Sequence, residues 1–501
     1  MRLLRTPLVA AAVVGLSGSC VGVSAAGATT RLVGPGHAYA KPCQAIAASG
    51  PGDVVQIDAA GNGTYDGDVC ASSVTHLTIE GVNGRAHVDA AGHSSGGKAI
   101  WVLSGVGTVV RDVELTGAQV PDANGAGIRL EGGSLTVVGS SFHDNQEGIL
   151  VNNVASIDLT VDSTEFARNG AGDGQSHNIY VGNIHHFTMR YSYSHAAQVG
   201  HLVKSRAAIN DIMYNRLTEE GGTGSYELDL PNGGLTRVVG NVIQQGAATE
   251  NSTLLAYGEE GASNSDSRLT VVDNTFVDDR PAGGTAIAVA AGVGSPAVVA
   301  NNVVVGATTF VTQAGARLSG NCQVADPGFV DRAAYDYHLR ETSPCRDVAS
   351  PSPSGGLPTE QYVYNLGHET RPVHGAPDAG AFEWAPSVRP PLSIAARHVR
   401  KDGSIRLTVE VAGAGRLSAR ATARSGGKSI TYARGAARAT SARTLTLTLK
   451  PTRSGARALR RRHRLALRIA VSLEPTSGTT TTTTRGTTLA LRRARTGVRA
   501  G

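Results

Sequence analysis

Five consecutive segments of this chain repeat one pattern: an alternating aliphatic strand, a corner rich in Asn and Gly, and a second short strand. They begin at Gly127 (GIRLEGGSLTVVGSSFHDN), Gly148, His177, Gly200 and Ser225, with looser copies over 253–279 and 285–306. A strand-rich unit of roughly 20–29 residues cannot bury its apolar face alone, so neighbouring copies must stack into a solenoid. In a parallel stack, strands at matching positions lie about 4.8 Å apart, and outward side chains on successive turns become neighbours. The repeat therefore specifies a surface as well as a fold.

A chain of 501 residues exceeds what one core usually covers, which predicts more than one domain. The 63 glycines and 4% aromatic content suit many tight turns and disfavour a helical bundle. Charge divides the chain. Residues 386–501 hold 25 Lys and Arg against three acids, leaving 21 against 37 in residues 1–385. An acidic solenoid is thus joined to a strongly basic C-terminal region.

The first 26 residues read as a secretory signal: Arg2 and Arg5, an apolar run from Leu8 to Leu16, then Ser24-Ala25-Ala26. That run is too short to cross a bilayer, and no other segment is a candidate span. Cys20, in LSGSC, half resembles a lipoprotein signal. Export makes disulfides plausible among Cys43, Cys70, Cys322 and Cys345. Sequential pairing would staple adjacent turns at each end, although four cysteines allow three connectivities.

The run DYHL…SPC…DAGAFE within residues 336–383 resembles the closing segment of secreted bacterial right-handed parallel β-helix proteins of the pectate-lyase-like superfamily, including those named for choice-of-anchor domains. The expected fold is all-β: a right-handed parallel β-helix over 27–385, a Pro-rich linker at 386–391, and a small basic β-sandwich over 392–501 with a flexible tail. The sandwich follows from alternation at Ile405/Leu407/Val409/Val411, Leu445/Leu447/Leu449 and Leu465/Leu467/Ile469/Val471/Leu473. The segment ARALRRRHRLALRIAVSL resembles Ig-like domains of exported actinobacterial proteins. Thr479–Thr484 reads equally as strand or tail.

Strict alternation assigns faces. It sends Ile179, Val181, Val203, Tyr226, Leu228 and Leu230 inward, and Asn178, Tyr180, Leu202, Lys204, Arg206, Glu227 and Asp229 outward. His201 falls at the strand's edge or in the interior, and Tyr257 and Glu259 extend the outward row. Corner asparagines (Asn145, Asn153, Asn169, Asn183, Asn241, Asn274, Asn302) are expected to be structural. A long surface of Tyr, Lys, Arg and carboxylates suits a polysaccharide. β-Elimination at a uronate needs its carboxylate neutralised, a base for the C5 proton and an acid for the leaving oxygen; C5 epimerisation, the companion expectation, begins with the same proton abstraction. Val203-Lys204-Ser205 resembles alginate lyases and chondroitinase-B-type lyases, a resemblance that implies Lys204 as base. This chain has Pro231-Asn232-Gly233 where that family presents Arg-His-Gly, so Arg206 would have to substitute. His201 or Tyr180 would be the acid, and Glu227, Asp229, Tyr257 and Glu259 would bind substrate.

Three alternatives stand beside that expectation. Glu227 and Asp229, with Cα atoms roughly 6.6 Å apart along a strand, fit an inverting hydrolase. The face could instead bind glycan without catalysis, and its charges could be only a cross-turn ion ladder. Calcium held by Glu227, Asp229 and Glu259 could offset the acidic solenoid's repulsion of a polyuronate. No histidine has zinc-ligand spacing, so no metal centre is expected. The basic C-terminal region suits anionic cell-wall polymer. Its single aromatic residue, Tyr432, argues against nucleic acid. The expected protein is a secreted, extracellular or wall-associated monomer.

Overall fold

The computed structural model describes residues 27–385, 392–400, 402–411, 415–425, 428–440, 443–462, 464–475 and 481–490. The signal sequence with Cys20, the linker at 386–391 and the last eleven residues lie outside them. The chain divides between Trp384 and Ala385 into two compact units.

The first unit is a parallel β-helix. Its rungs contribute in turn to three parallel sheets, a first of twelve strands and two of ten. The first sheet runs from Thr30–Val33 to Arg317–Ser319, the second from Ala86–Asp89 to Cys322–Gln323, and the third from Cys70–Ser72 to Thr309–Val311. Inward aliphatics and stacked rings such as Phe142 on Phe166 (5.3 Å between ring centres) form one continuous core.

Two asparagine ladders close the corners. Between first and second sheets, Asn215, Asn241, Asn274 and Asn302 each pass a side-chain N–H to the side-chain oxygen of the next, ending at Asn321, at 2.9–3.0 Å. Asn145 and Asn169 do the same between second and third sheets, ending at Asn178, at 3.1 and 3.0 Å. Asn153 accepts from the backbone of Asn183 at the remaining corner (2.7 Å). Each ladder satisfies backbone groups that a turn buries.

The ends are stapled as sequential pairing required. Cys43, on the helix Pro42–Ala47, bonds Cys70, and Cys322 bonds Cys345. Two disulfides fit an oxidising compartment. Among the described residues, no helix is long and apolar enough to cross a membrane. The closing segment lies along the outer face of the second sheet, where Phe329, Tyr337, Tyr362 and Phe382 pack on Val242, Val277, Val303 and Val305. Arg371 ties its loops, donating to the carbonyls of Gly380 and Asp378 (3.1 Å each).

The described residues of the second unit form an antiparallel seven-stranded sheet with its own core, in which the predicted aliphatic rows are buried except for the half-buried Leu445. Within it, Lys428–Ala439 and Arg443–Pro451 pair at only two positions. Its end strands approach each other: Arg397 donates to the Gly486 carbonyl and Arg485 to that of Ile394. Thr481–Ala490 is a strand.

Candidate functional site

The third sheet carries the predicted residues, and its register decides which of them meet. Arg129, Leu150, Tyr180, Lys204 and Asp229 are successive Cα partners, so they form one outward row across five turns. Beside this row run Glu147, His177, His201 and Tyr226. The His177 and His201 rings stack at 4.4 Å, and Tyr226 lies 5.0 Å from His201.

Lys204 is the centre of the charged part. Its Nζ lies 3.1 Å from Asp229 Oδ2 and 3.2 Å from Glu260 Oε1. Arg206 pairs with the other oxygen of Glu260 (2.6 Å) and donates to the hydroxyl of Tyr180 (2.9 Å) and to Asn232 (2.6 Å). Burial works to strip the Lys204 proton, but Asp229 and Glu260 outweigh it and raise the pKa. Lys204 is therefore an ammonium, nine-tenths buried, locked between two carboxylates.

The histidines are neutral. Burial first, and the Lys204 ammonium second, push His201 down to about 3. Burial and the neighbouring His201 push His177 well below its usual value. Nδ1 of His177 accepts from the backbone N–H of His201 (3.0 Å), and Nδ1 of His201 accepts from that of Tyr226 (3.2 Å). Each ring therefore carries its proton on Nε2, and that of His201 lies 3.5 Å from Asp229. A neutral imidazole with so low a proton affinity is a hydrogen-bond donor here, rather than an acid for a leaving group.

Several outward assignments are corrected. Glu227 is 0% exposed and its carboxyl makes no hydrogen bond; burial pushes its pKa well up, and Glu219 adds to the shift. Asn178 and Leu202, expected to face outward, are also buried, and Tyr226, expected inward, is half-exposed. The cause is common. At this corner two consecutive residues turn inward before alternation begins: Gly148 with Ile149, Asn178 with Ile179, Leu202 with Val203, and Glu227 with Leu228. A Cβ at Gly148 would come within 2.8 Å of the core ring of Phe166. Tyr257 is likewise interior, paired with Leu230 in register and donating to the Gly234 carbonyl at 2.5 Å.

Glu259 is exposed, and it is Glu260 that reaches Lys204 and Arg206. With Glu227 inside, the Glu227–Asp229 hydrolase pair does not exist. Nor do Glu227, Asp229 and Glu259 present a common oxygen site for calcium, since Asp229 is engaged by Lys204. Among the described residues, no group of three or more His, Cys, Asp or Glu is placed to hold a metal. His185 and His186 pair instead with Asp158 (2.8 Å) and Asp211 (3.0 Å) on the first sheet.

The same face continues into a feature that strand-by-strand reading missed. A cleft of about 330 Å³ lies over the row from Arg129 to Tyr180, bordered by the loop residues Asp122–Asn124 and by Asp173 and Gln175. Arg129 is engaged by Glu131 (3.0 Å), which also accepts from Asn152 (2.8 Å). Glu147, at the cleft's base, accepts from the His177 backbone at 3.0 Å; burial raises its carboxyl well above the usual range, and Asp173 adds to the rise. For Asp173 itself, burial opposes ionisation. Hydrogen bonds from the Gln175 N–H and from the Ser176 hydroxyl and N–H outweigh it and lower the pKa. The register of Arg129 with Tyr180 was a readable signal for this cleft; the loops that enclose it were not.

No protein-family model matches the chain, and no curated protein matches it.

Proposed function

We propose that the outer face of the third sheet binds a strand of neutral polysaccharide, with Tyr180 as its aromatic platform. The observation that carries this is charge balance in a polar cleft. Arg129, Lys204 and Arg206 are each paired with a carboxylate at 2.6–3.2 Å. A uronate carboxylate would have to displace Glu131, Asp229 or Glu260 to find a cation. Hydroxyl groups need only the hydrogen-bonding edges of Asn152, Asn153 and Gln175 that line the cleft.

β-Elimination, the reaction expected from the Val203-Lys204-Ser205 resemblance, requires Lys204 to give up a proton that two carboxylates hold. The present reading departs from it on that ground. Export, supported by the N-terminal sequence and by the two disulfides, would bring such a surface to envelope or environmental glycans.

A second reading, hydrolysis, is favoured by one observation: Glu147 and Asp173 share the cleft and their environments drive their proton affinities apart. A protonated acid beside an ionised base is the pairing that glycoside hydrolysis uses.

Titration calorimetry with neutral hexasaccharides of glucose, mannose and xylose, and with a galacturonate oligomer, tests the first reading. A neutral sugar should bind and the uronate should not, and Tyr180→Ala should weaken binding by about tenfold. Tighter binding of the uronate would refute it. Reducing-end release that is abolished by Glu147→Gln would establish the second reading.

A further inference from the structure

A second cleft, of about 360 Å³, opens where the closing segment crosses the outer face of the second sheet. Arg216, on the strand Arg216–Thr218, forms its floor, and Tyr335, Tyr337, Tyr364 and Phe382 of the closing segment form its walls. The Arg216 guanidinium lies 5.6–5.9 Å from the ring centres of Tyr193, Tyr337 and Tyr364, and donates to the Tyr335 carbonyl (3.0 Å) and to Glu220 (3.1 Å).

Three polar atoms here have no partner. Arg216 Nε and the hydroxyls of Tyr337 and Tyr362 make no hydrogen bond, although these residues are only 7%, 1% and 2% exposed. Each unmade bond to a buried donor costs about 1–3 kcal/mol, so three of them bordering one cleft call for acceptors from a molecule that enters it. The rim narrows the choice. Glu220 and Asp336 border the cleft and oppose an incoming anion. Tyr364, 68% exposed, offers an open ring whose burial under an apolar face would be favourable. The occupant that combines hydroxyl acceptors, no charge and a C–H-rich face is a sugar ring.

We propose that this cleft is a second saccharide site, in which a neutral pyranose packs on Tyr364 and accepts hydrogen bonds from Arg216 Nε and the Tyr337 hydroxyl. It is built from the closing segment and the second sheet, and shares no residue with the third-sheet face. It therefore stands or falls independently of that reading.

The test uses the full chain and the same neutral hexasaccharides, observed by saturation-transfer NMR and calorimetry in wild type, Tyr337→Phe, Tyr364→Ala and Tyr180→Ala. Tyr337→Phe removes only that residue's unpartnered hydroxyl. A purely structural tyrosine predicts equal or higher thermal stability with unchanged sugar affinity. The saccharide site predicts affinity at one set of sites reduced about fivefold by Tyr337→Phe and about tenfold by Tyr364→Ala, both retained in Tyr180→Ala. Binding that is lost only in Tyr180→Ala overturns this site while sustaining the third-sheet one. Absence of binding by wild type, or affinity indifferent to Tyr337→Phe, also overturns it.

Discussion

Replacing Lys204 with Met tests whether that lysine is a structural cation. The change removes the ammonium 3.1 Å from Asp229, whose side chain is only 5% exposed, and 3.2 Å from Glu260, whose side chain is 48% exposed. The Glu260 contact is open to solvent and contributes about 0.5 kcal/mol. The Asp229 contact dominates, because losing one partner strands a buried carboxylate, at about 3–5 kcal/mol. Asp229→Asn in the Lys204→Met background removes that stranded charge, so the double variant should recover about 2–3 kcal/mol relative to Lys204→Met.

The variant also has a stronger pH signature than wild type. Burial already raises the Asp229 pKa in wild type against the pull of Lys204, and without Lys204 it rises further above its unfolded value. The neutral acid is then tolerated at low pH, and stability is lost as pH rises through the folded pKa. The deficit of Lys204→Met against wild type should be smaller at pH 4.5 than at pH 7. Hydrogen exchange across 200–232 reads the local opening free energy, since the amide of Asp229 bonds the Val203 carbonyl (2.8 Å) within that span. A Lys204→Met deficit below about 1 kcal/mol, unrelieved by Asp229→Asn, would refute the locked ion pair and leave Lys204 free to act as a base.

Two further outcomes follow from buried polar groups. Burial raises Glu219, which is 0% exposed, from 4.5 to about 8; the native state is therefore weakened as pH climbs between those values. Glu219→Gln should gain on wild type progressively over that window, by roughly 4 kcal/mol at pH 8.5 in denaturant unfolding, and a gain independent of pH would contradict the assignment. Asn241→Ala removes the acceptor for both the backbone N–H (2.8 Å) and the side-chain N–H (3.0 Å) of Asn215, and should cost about 3 kcal/mol in hydrogen exchange across 212–245, whereas a loss under about 1 kcal/mol would show that the ladder is dispensable.

The sequence carried the solenoid plainly, because repeat length and alternation both follow from strand geometry. Alternation placed Tyr180, Lys204 and Asp229 together correctly, since each lies past the corner, Tyr180 and Asp229 in mid-strand and Lys204 at the start of its strand. It failed at Glu227, Asn178 and Leu202 because a corner turns two successive residues inward, and period-2 counting has no term for that. A clue was present. Gly127 and Gly148 occupy the same row, and small residues at a repeated position mark close packing against core rings.

Tyr257 misled for a different reason: a tyrosine can lie wholly inside when a backbone carbonyl, here that of Gly234, accepts its hydroxyl. Glu260 escaped notice because it lies beyond its strand, in a loop whose path alternation does not describe. The clefts were illegible as well. One is enclosed by loops, and the other is made by packing the closing segment on the second sheet.

The most direct test of the central claim is a crystal structure of the full chain with the neutral hexasaccharide that binds best in calorimetry. A sugar ring over Tyr180, flanked by Asn152 and by the loops at 122–124 and 173–175, with Lys204 still paired to Asp229, is the predicted result. A bare third-sheet cleft in crystals saturated with that sugar, or a uronate oligomer seated on Lys204 with Asp229 displaced, would contradict it.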